Sequence, residues 1–402
     1  MSICDLTACT GCEACKQVCP VDAISMVKTR EGFYYPSINN ESCINCKQCV
    51  KVCHINQNVK KHTPLFYMGW NKDEDVLVHS SSGGAFTALA KYVFEKGGVV
   101  FGAYMDSMTK QIYHIPVYDI FELDKLRMSK YYQGSLNNTY KDAKKLLDSN
   151  KFVLFSGTSC QIAGLLSFLG KQYNNLYTVD ILCHGFTSEK VVASYISCKE
   201  KKYRKTIVDY KFRLKPQDND WCAGCGCGVK YFFADGTNLV NKDKYDTFFL
   251  GFNDYLFLRD SCYQCKYSGN ERISDFTIAD YWGVTSKEVG THEMKYGVSL
   301  ILFNTEKAQN IITNLQNDMV LKKIDGKNAI NNNQALVMPS SYNANRKRFF
   351  KLINNKSFDQ IIKRIYFNYL IRKRIKNGII LFLGEKRYNY IIAKIKRGNN
   401  GK

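Results

Sequence analysis

Two stretches near the N-terminus, CTGCEACKQVCP at residues 9–20 and CINCKQCVKVCH at residues 43–54, repeat one spacing of cysteines. Each stretch reads Cys-x2-Cys-x2-Cys-x3-Cys. Three cysteines at such intervals wrap a turning loop around three corners of one 4Fe-4S cubane, and the fourth points away toward a second cubane. The duplication therefore predicts two 4Fe-4S clusters that exchange their fourth ligands.

The first predicted cluster takes Cys9, Cys12, Cys15 and Cys53, and the second takes Cys43, Cys46, Cys49 and Cys19. Both motifs resemble those of the bacterial two-cluster ferredoxins, in which a proline such as Pro20 follows the fourth cysteine. His54 replaces that proline in the second motif and removes no ligand. Two structural zinc sites are the alternative, because Cys-x2-Cys pairs also bind zinc. We expect Cys4, upstream of the first motif, to be a free thiol.

The composition is that of a globular chain with a real core, since 45% of the 402 residues are hydrophobic and 13% are aromatic. No apolar run reaches the length of about 18 residues that a membrane helix needs. The first residues also lack the pattern of a secretory signal, so we expect a cytoplasmic protein. In that reducing compartment, 17 cysteines indicate metal binding or redox chemistry rather than disulfides.

The formal net charge of +21 is concentrated at the C-terminus, where residues 341–402 hold 17 Lys and Arg against two acidic residues. Residues 361–375 follow the pattern of a basic amphipathic helix. Such a helix can lie on an anionic membrane surface, bind an acidic partner or simply expose its charge to solvent. A peripheral position at the inner face of the membrane is therefore an alternative to a purely cytoplasmic one. No nucleic-acid-binding motif accompanies the charge, so we expect no nucleic-acid partner.

Beyond residue 60, short apolar runs alternate with helical stretches. Residues 99–103, 152–155 and 177–182 are predicted to be buried strands, and residues 85–95 and 140–147 to be helices. This alternation predicts an α+β protein: a ferredoxin-like dicluster module, a mixed α/β domain, and a basic helical tail. The predicted domains are residues 1–60, 61–345 and 346–402.

Several loops of the central domain hold residues with cofactor chemistry. Ser80 to Gly84 precede a helix, where free backbone N–H groups suit a phosphate, although an ordinary helix cap is the alternative. Four cysteines from three loops are candidates for a third cluster: Cys160, Cys183, Cys262 and Cys265. The alternative is that they are small buried apolar residues. For Cys222, Cys225 and Cys227 we predict no metal site.

Five of these stretches, in this order, resemble the beta subunit of coenzyme F420-reducing hydrogenase and dehydrogenase. They are SSGG at 81–84, GTSCQ at 157–161, CHG at 183–185, RDSCYQC at 259–265 and DFTIADYWG at 275–283. The resemblance runs from about residue 80 to residue 350. Many bacterial members of that family carry a two-cluster ferredoxin module at the N-terminus, as this chain does.

The resemblance implies a flavin enzyme, with FAD or FMN, whose third 4Fe-4S cluster is held by the four loop cysteines. The implied flavin-site residues are Ser81, Gly83, Gly84, Lys130, Gly157 and Thr158. Lys130 is also a catalytic candidate, because its charge favours the anionic reduced flavin, and the alternative is a solvated surface lysine. His184 is a candidate proton donor, with a structural role as the alternative.

The expected function is an oxidoreductase that exchanges electrons with a ferredoxin or a redox subunit. Its substrate would be a small molecule or a sugar. The resemblance implies a sugar, because many bacterial relatives are similar to proteins encoded beside polysaccharide-synthesis enzymes. Two other functions stay open: a non-catalytic electron-transfer subunit of a larger redox complex, and a zinc-stabilised interaction protein. The sequence does not decide whether coenzyme F420 takes part.

Overall fold

The computed structural model describes residues 2–213, 228–241 and 246–371. Cys222, Cys225 and Cys227 lie outside these ranges. The strands are β1 Ile24–Lys28, β2 Tyr34–Ile38, β3 Leu65–Asn71, β4 Val99–Met105, β5 Ile112–Val117, β6 Val153–Thr158, β7 Leu176–Ile181, β8 Ile207–Lys211, β9 Val229–Phe233, β10 Asn238–Asn241, β11 Phe276–Asp280, β12 Ser299–Phe303 and β13 Met319–Lys323.

The helices are α1 Ala14–Val18, α2 Gln48–Lys51, α3 Glu74–Val78, α4 Ala85–Phe94, α5 Thr139–Asp148, α6 Ser159–Leu169, α7 Glu189–Tyr203, α8 Thr247–Asn253, α9 Ser286–Val289, α10 Thr291–Tyr296, α11 Glu306–Gln309, α12 Ile312–Leu315, α13 Lys327–Asn332, α14 Arg346–Leu352 and α15 Phe358–Ile365. Single 3-10 turns occur at His54–Asn56, Leu123–Lys125, Asp260–Gln264 and Gln334–Leu336. The predicted α+β class is confirmed, and the three predicted strands lie in β4, β6 and β7.

The backbone of the N-terminal module repeats itself as its cysteine motifs do. Gly11 and Asn45 precede the second cysteine of each motif, with φ of 69° and 54°. Glu13 and Lys47 follow it, with φ of 60° and 59°. These paired left-handed residues turn each loop sharply before α1 and α2 begin, and the antiparallel pair of β1 and β2 supports both loops.

An eight-stranded mixed sheet in the order β13-β3-β12-β11-β7-β6-β4-β5 forms the body of the molecule. Its four strands β11, β7, β6 and β4 are parallel, and the other pairings are antiparallel. The carboxyl ends of the parallel strands therefore meet along one edge. Loops at such an edge commonly hold cofactors in open α/β sheets.

A second, three-stranded sheet of β10, β9 and β8 packs with α7 and α8 around a phenylalanine-rich core. Helices α14 and α15 belong to this core, because Phe349, Phe358 and Ile361 are fully buried in it. The first part of the predicted basic tail is thus packed against the body by its apolar face. Residues 372–402 lie outside the described ranges. None of the described helices is both long and apolar enough to cross a bilayer.

Arg346, at the start of α14, connects the body to the N-terminal module. Its guanidinium pairs with Glu31 at 2.6 Å and with Asp260 at 3.1 Å, and it donates to the carbonyl oxygen of Leu258 at 2.9 Å. The Arg346 side chain is only 4% exposed. Because Glu31 belongs to the module and Leu258 and Asp260 to the body, this buried cation ties the two together.

Candidate cluster and cofactor sites

The cysteines of the N-terminal module gather around two small cavities. One cavity is lined by Cys9, Cys12, Cys15 and Cys53, which we call the first thiol set. The other is lined by Cys43, Cys46, Cys49 and Cys19, which we call the second thiol set. The fourth cysteine of each motif therefore lies with the three cysteines of the other motif, as the spacing predicts.

The chemistry of these donors fits an iron–sulfur cluster. Burial, together with the charges of the neighbouring Cys9 and Cys53 thiolates, raises the pKa of the Cys15 thiol to about 12. Several thiolates in one buried cavity are unstable unless a cationic group compensates them, and cluster iron supplies that charge. A cubane presents a separate corner iron to each thiolate. Among the described residues, no three His, Cys, Asp or Glu side chains converge on a single metal ion.

Cys4 also lines the cavity of the first thiol set. Its thiol hydrogen-bonds to Cys53 and Cys9, so the predicted free thiol lies beside two predicted ligands. The hydrogen bond from Cys4 lowers the pKa of Cys9 to about 6, and the charge of Arg259 acts in the same direction. No spacing rule indicated this position for Cys4.

The four loop cysteines of the body line one cavity of about 100 Å³, and we call them the third thiol set: Cys160, Cys183, Cys262 and Cys265. Cys160 lies in the first turn of α6, directly after β6, and Cys183 follows β7. Cys262 and Cys265 lie in and after the 3-10 turn that begins at Asp260. Burial raises the pKa of Cys262 to about 12 and that of Cys160 to about 11. Here too, buried thiolates need a compensating positive charge, so the four cysteines fit the ligand set of an iron–sulfur cluster.

The cavity of the third thiol set borders the N-terminal module, since Thr10 and Ile55 also line it. Between the first and third sets lies His54, which is 1% exposed. Its Nε2 is 3.0 Å from the hydroxyl of Thr10, and its Nδ1 hydrogen-bonds to the hydroxyl of Tyr267. Burial lowers the pKa of His54 to about 3, so the imidazole is neutral and carries one N–H.

A buried ion pair lies behind the third thiol set. The guanidinium of Arg272 pairs with Asp180 and donates to Ser159 Oγ at 2.7 Å and to the carbonyl oxygen of Tyr267 at 2.8 Å. Arg272 is 2% exposed and Asp180 is fully buried. Because Ser159 precedes Cys160 and Tyr267 follows Cys265 by two residues, the pair connects two loops that supply cysteines to the set.

His184 lines the same cavity, and its ring stacks on Trp282 with 5.0 Å between the ring centres. Burial lowers the pKa of His184 to about 4. The imidazole is therefore neutral at pH 7, which allows it one hydrogen bond as donor and one as acceptor.

A larger cavity of about 320 Å³ lies near the carboxyl end of β4, and we call it the basic cavity. Its ionisable lining residues are His79, Asp124, Lys125, Arg127, Lys130, Asp209, Lys211, Arg213 and Lys230. Lys130 donates to the carbonyl oxygens of Leu126 at 3.1 Å and of Arg127 at 2.6 Å. Burial lowers the pKa of Lys130 to about 7, although the residue as a whole is partly exposed where it lines the cavity.

Of the six predicted flavin-site residues, Lys130 and Thr158 line a cavity, one in each of the two. Lys130 lines the basic cavity, and Ser81 lies beside it because Ser129 Oγ donates to Ser81 Oγ at 3.0 Å. Thr158 lines the cavity of the third thiol set and caps α6. Gly157 lies next to Thr158, where an added Cβ would come within 2.9 Å of the Gln161 side chain.

The two glycines before α4 have structural explanations. A Cβ on Gly83 would lie 2.5 Å from the carbonyl oxygen of Gly69 and 2.7 Å from the amide of Ser299, so β3 and β12 leave no room for a side chain. Gly84 caps α4 with a φ of 80°, a conformation that glycine adopts without strain.

One ion pair lies between the basic cavity and the cavity of the third thiol set. Arg213 lines the basic cavity and pairs with Asp280 at the carboxyl end of β11. The negative charge of Asp280 acts on His184 in the other cavity. Sequence reasoning missed this pair, along with Arg272 and Arg259, because isolated arginines carry no spacing signal.

Comparison with known proteins gives three family matches along the chain. The 4Fe-4S dicluster domain matches residues 8–56. The N-terminal part of the coenzyme F420 hydrogenase/dehydrogenase beta subunit matches residues 66–137, and the C-terminal part of that subunit matches residues 150–327. No curated protein matches the chain.

Among solved structures, one similar chain comes from the F420-reducing NiFe hydrogenase complex of Methanosarcina barkeri. The identity is 15% and the TM-score is 0.44, and the alignment covers 76% of this chain and 92% of that chain.

Proposed function

Since the chain belongs to the coenzyme F420 hydrogenase/dehydrogenase beta subunit family and carries a 4Fe-4S dicluster domain, we propose that this iron–sulfur electron-transfer subunit is itself a flavin-dependent oxidoreductase. It would exchange electrons with a ferredoxin-type partner and act on a small molecule or a sugar. The observation that supports this proposal most directly is that the third thiol set lines a cavity that borders the N-terminal module.

Iron–sulfur clusters supply one-electron steps and a flavin supplies two-electron chemistry, so a protein that binds both can couple a one-electron partner to a hydride-type reaction. The residues proposed to hold the clusters are those of the three thiol sets, Cys9, Cys12, Cys15 and Cys53, then Cys43, Cys46, Cys49 and Cys19, then Cys160, Cys183, Cys262 and Cys265. We propose FAD, with FMN as the alternative, for the region of Ser81, Lys130, Gly157 and Thr158.

The basic cavity supports a negatively charged cofactor or substrate, because its lining holds more cationic than acidic side chains. Lys130 would hold an anionic group there, since two carbonyl oxygens fix its ammonium group in the wall of the cavity. His184, neutral and stacked on Trp282, would donate or accept a proton at the cavity of the third thiol set.

The partner would approach the second thiol set. Cys46 is exposed there, and Ile44 beside it is 60% exposed, whereas Cys9 and Cys15 of the first set are buried.

The domain boundaries at residues 60 and 345 and the cytoplasmic location stay proposals. The membrane-surface contact also stays a prediction. The apolar face of α15 is buried in the body, whereas Phe367, Tyr369 and Ile371, which follow α15, are exposed.

The test is the iron, acid-labile sulfide and flavin content of protein purified without oxygen. Three cubanes require about twelve irons per chain, and the proposal adds one flavin. Cys262→Ser should lower the iron to about eight and leave the N-terminal clusters intact. Cys198→Ser is the matched control, because this partly buried cysteine of α7 belongs to none of the thiol sets.

About eight irons and no flavin in the unmodified protein would contradict the proposal. That result would favour the second candidate function, a non-catalytic electron-transfer subunit of a larger redox complex. Zinc without iron would exclude both and favour an interaction protein.

A further inference from the structure

Arg259 is the largest fully buried side chain of the described residues, and it lies against the first thiol set. Its Nε donates to the carbonyl oxygen of Cys9 at 2.7 Å, and one terminal nitrogen is 3.8 Å from the sulfur of Cys9. The same nitrogen donates to the carbonyl oxygen of Tyr34 at 3.0 Å, and the other donates to Gln133 at 3.0 Å. The guanidinium also lies 3.9 Å above the ring of Tyr35.

What distinguishes Arg259 is the absence of a carboxylate partner. Among the described residues, its guanidinium contacts only neutral oxygens, aromatic rings and the sulfur of Cys9. The other two deeply buried arginines differ, since Arg272 pairs with Asp180 and Arg346 pairs with Glu31 and Asp260. A buried charge is costly unless an opposite charge compensates it.

Negative charge at Cys9 is the nearest compensation available to Arg259. A 4Fe-4S cluster with four thiolate ligands carries negative charge, and it gains one more negative charge on reduction. A fixed cation at the sulfur therefore stabilises the reduced form more than the oxidised form. Hydrogen bonds to the sulfurs and local charge are among the factors that set the potential of such clusters.

We propose that Arg259 is the counter-cation of the first thiol set and raises the reduction potential of the cluster bound there. Arg259 is thus a positioning and tuning residue supplied by the body to the N-terminal module. It also precedes Cys262 of the third thiol set by three residues, so one short segment serves both sites. The proposal rests on the proposed function only in requiring a cluster at Cys9, Cys12, Cys15 and Cys53.

The experiment is a redox titration of the full chain, purified without oxygen and followed by electron paramagnetic resonance. The signal of the first cluster is identified by its loss in Cys15→Ser. In Arg259→Gln, we expect the equilibrium constant for reduction of that cluster to fall at least tenfold, which is 59 mV for one electron. In Arg259→Lys, which keeps the charge, the constant should fall less than threefold.

Arg346→Gln is the matched control, because it also removes a buried guanidinium beside the module, but one that makes no hydrogen bond to a cysteine of the described residues. Its titration should be unchanged. An Arg259→Gln protein with full iron and less than a twofold change would overturn the inference. If Arg259→Gln loses the first cluster, the test depends on Arg259→Lys. A tenfold fall in the equilibrium constant for reduction in Arg259→Lys, despite the retained charge, would also overturn the inference. Protein without iron would instead contradict the proposed function.

Discussion

Replacing Arg272 by methionine would break the buried ion pair behind the third thiol set. The substitution removes a guanidinium that donates hydrogen bonds to five residues: Asp180, Ser159, Tyr267, Gly269 and Thr277. It leaves Asp180 fully buried with the hydroxyl of Ser159 at 2.5 Å, and the second carboxylate oxygen has no partner among the described residues.

The expected loss of stability is about 3–5 kcal/mol, which is typical when one member of a buried ion pair is removed. The assay is urea denaturation of the iron-loaded protein without oxygen, extrapolated linearly to water. Because Arg272 connects the loops of Cys160 and Cys265, iron bound by the third thiol set should be lost at lower urea than iron in the N-terminal module.

The double variant Arg272→Met with Asp180→Leu provides the matched comparison. Well-packed apolar residues often replace a buried ion pair at little cost, so the double variant should be more stable than Arg272→Met alone. The reasoning is refuted if Arg272→Met costs less than about 1 kcal/mol. It is also refuted if the loss of stability in the double variant equals the sum of the losses in Arg272→Met and in Asp180→Leu.

Three further predictions concern Lys130, Gly164 and Phe248. The pKa of Lys130 in the folded chain is lowered to about 7 from its ordinary 10.5, so between these pH values the unfolded chain binds more protons than the folded chain. Stability should therefore rise with pH across this window, and Lys130→Met should remove that part of the rise in urea denaturations; an unchanged slope would contradict the lowered pKa. A Cβ on Gly164 of α6 would lie 2.9 Å from the sulfur of Cys12, so Gly164→Ala should cost about 1–3 kcal/mol by overpacking and should change the spectrum of the first cluster. Gly170→Ala, where an added Cβ would meet no atom of the described part of the chain within 4 Å but φ is positive, should leave that spectrum unchanged. Phe248 is fully buried and stacks on Phe212 with 4.7 Å between ring centres, so Phe248→Ala should cost about 3–5 kcal/mol, measured as a lower urea midpoint, without loss of iron.

The position of α14 and α15 shows a limit of charge patterns. Their sequence predicted a basic tail, yet Arg346 is buried and Phe349, Phe358 and Ile361 complete the core beside β8 to β10. An amphipathic pattern indicates that one face is buried but does not indicate what covers it. Only the packed structure identified the body of the protein as the surface that covers α15.

The sequence by itself determined the features that depend on short spacing. The cysteine motifs predicted how the first and second thiol sets are composed, because a few residues of chain can only turn around one small cavity. Apolar runs predicted β4, β6 and β7, and their order predicted which loops follow their carboxyl ends.

Tertiary structure alone decided the contacts between distant segments. Arg259 reaches Cys9 across 250 residues, and Tyr267 reaches His54 across 213. No periodicity relates such positions, since their distance depends on how the module and the sheet pack together and not on the path of the chain between them. The cations and hydrogen bonds that surround the thiol sets were therefore invisible in the sequence, although the thiols themselves were not.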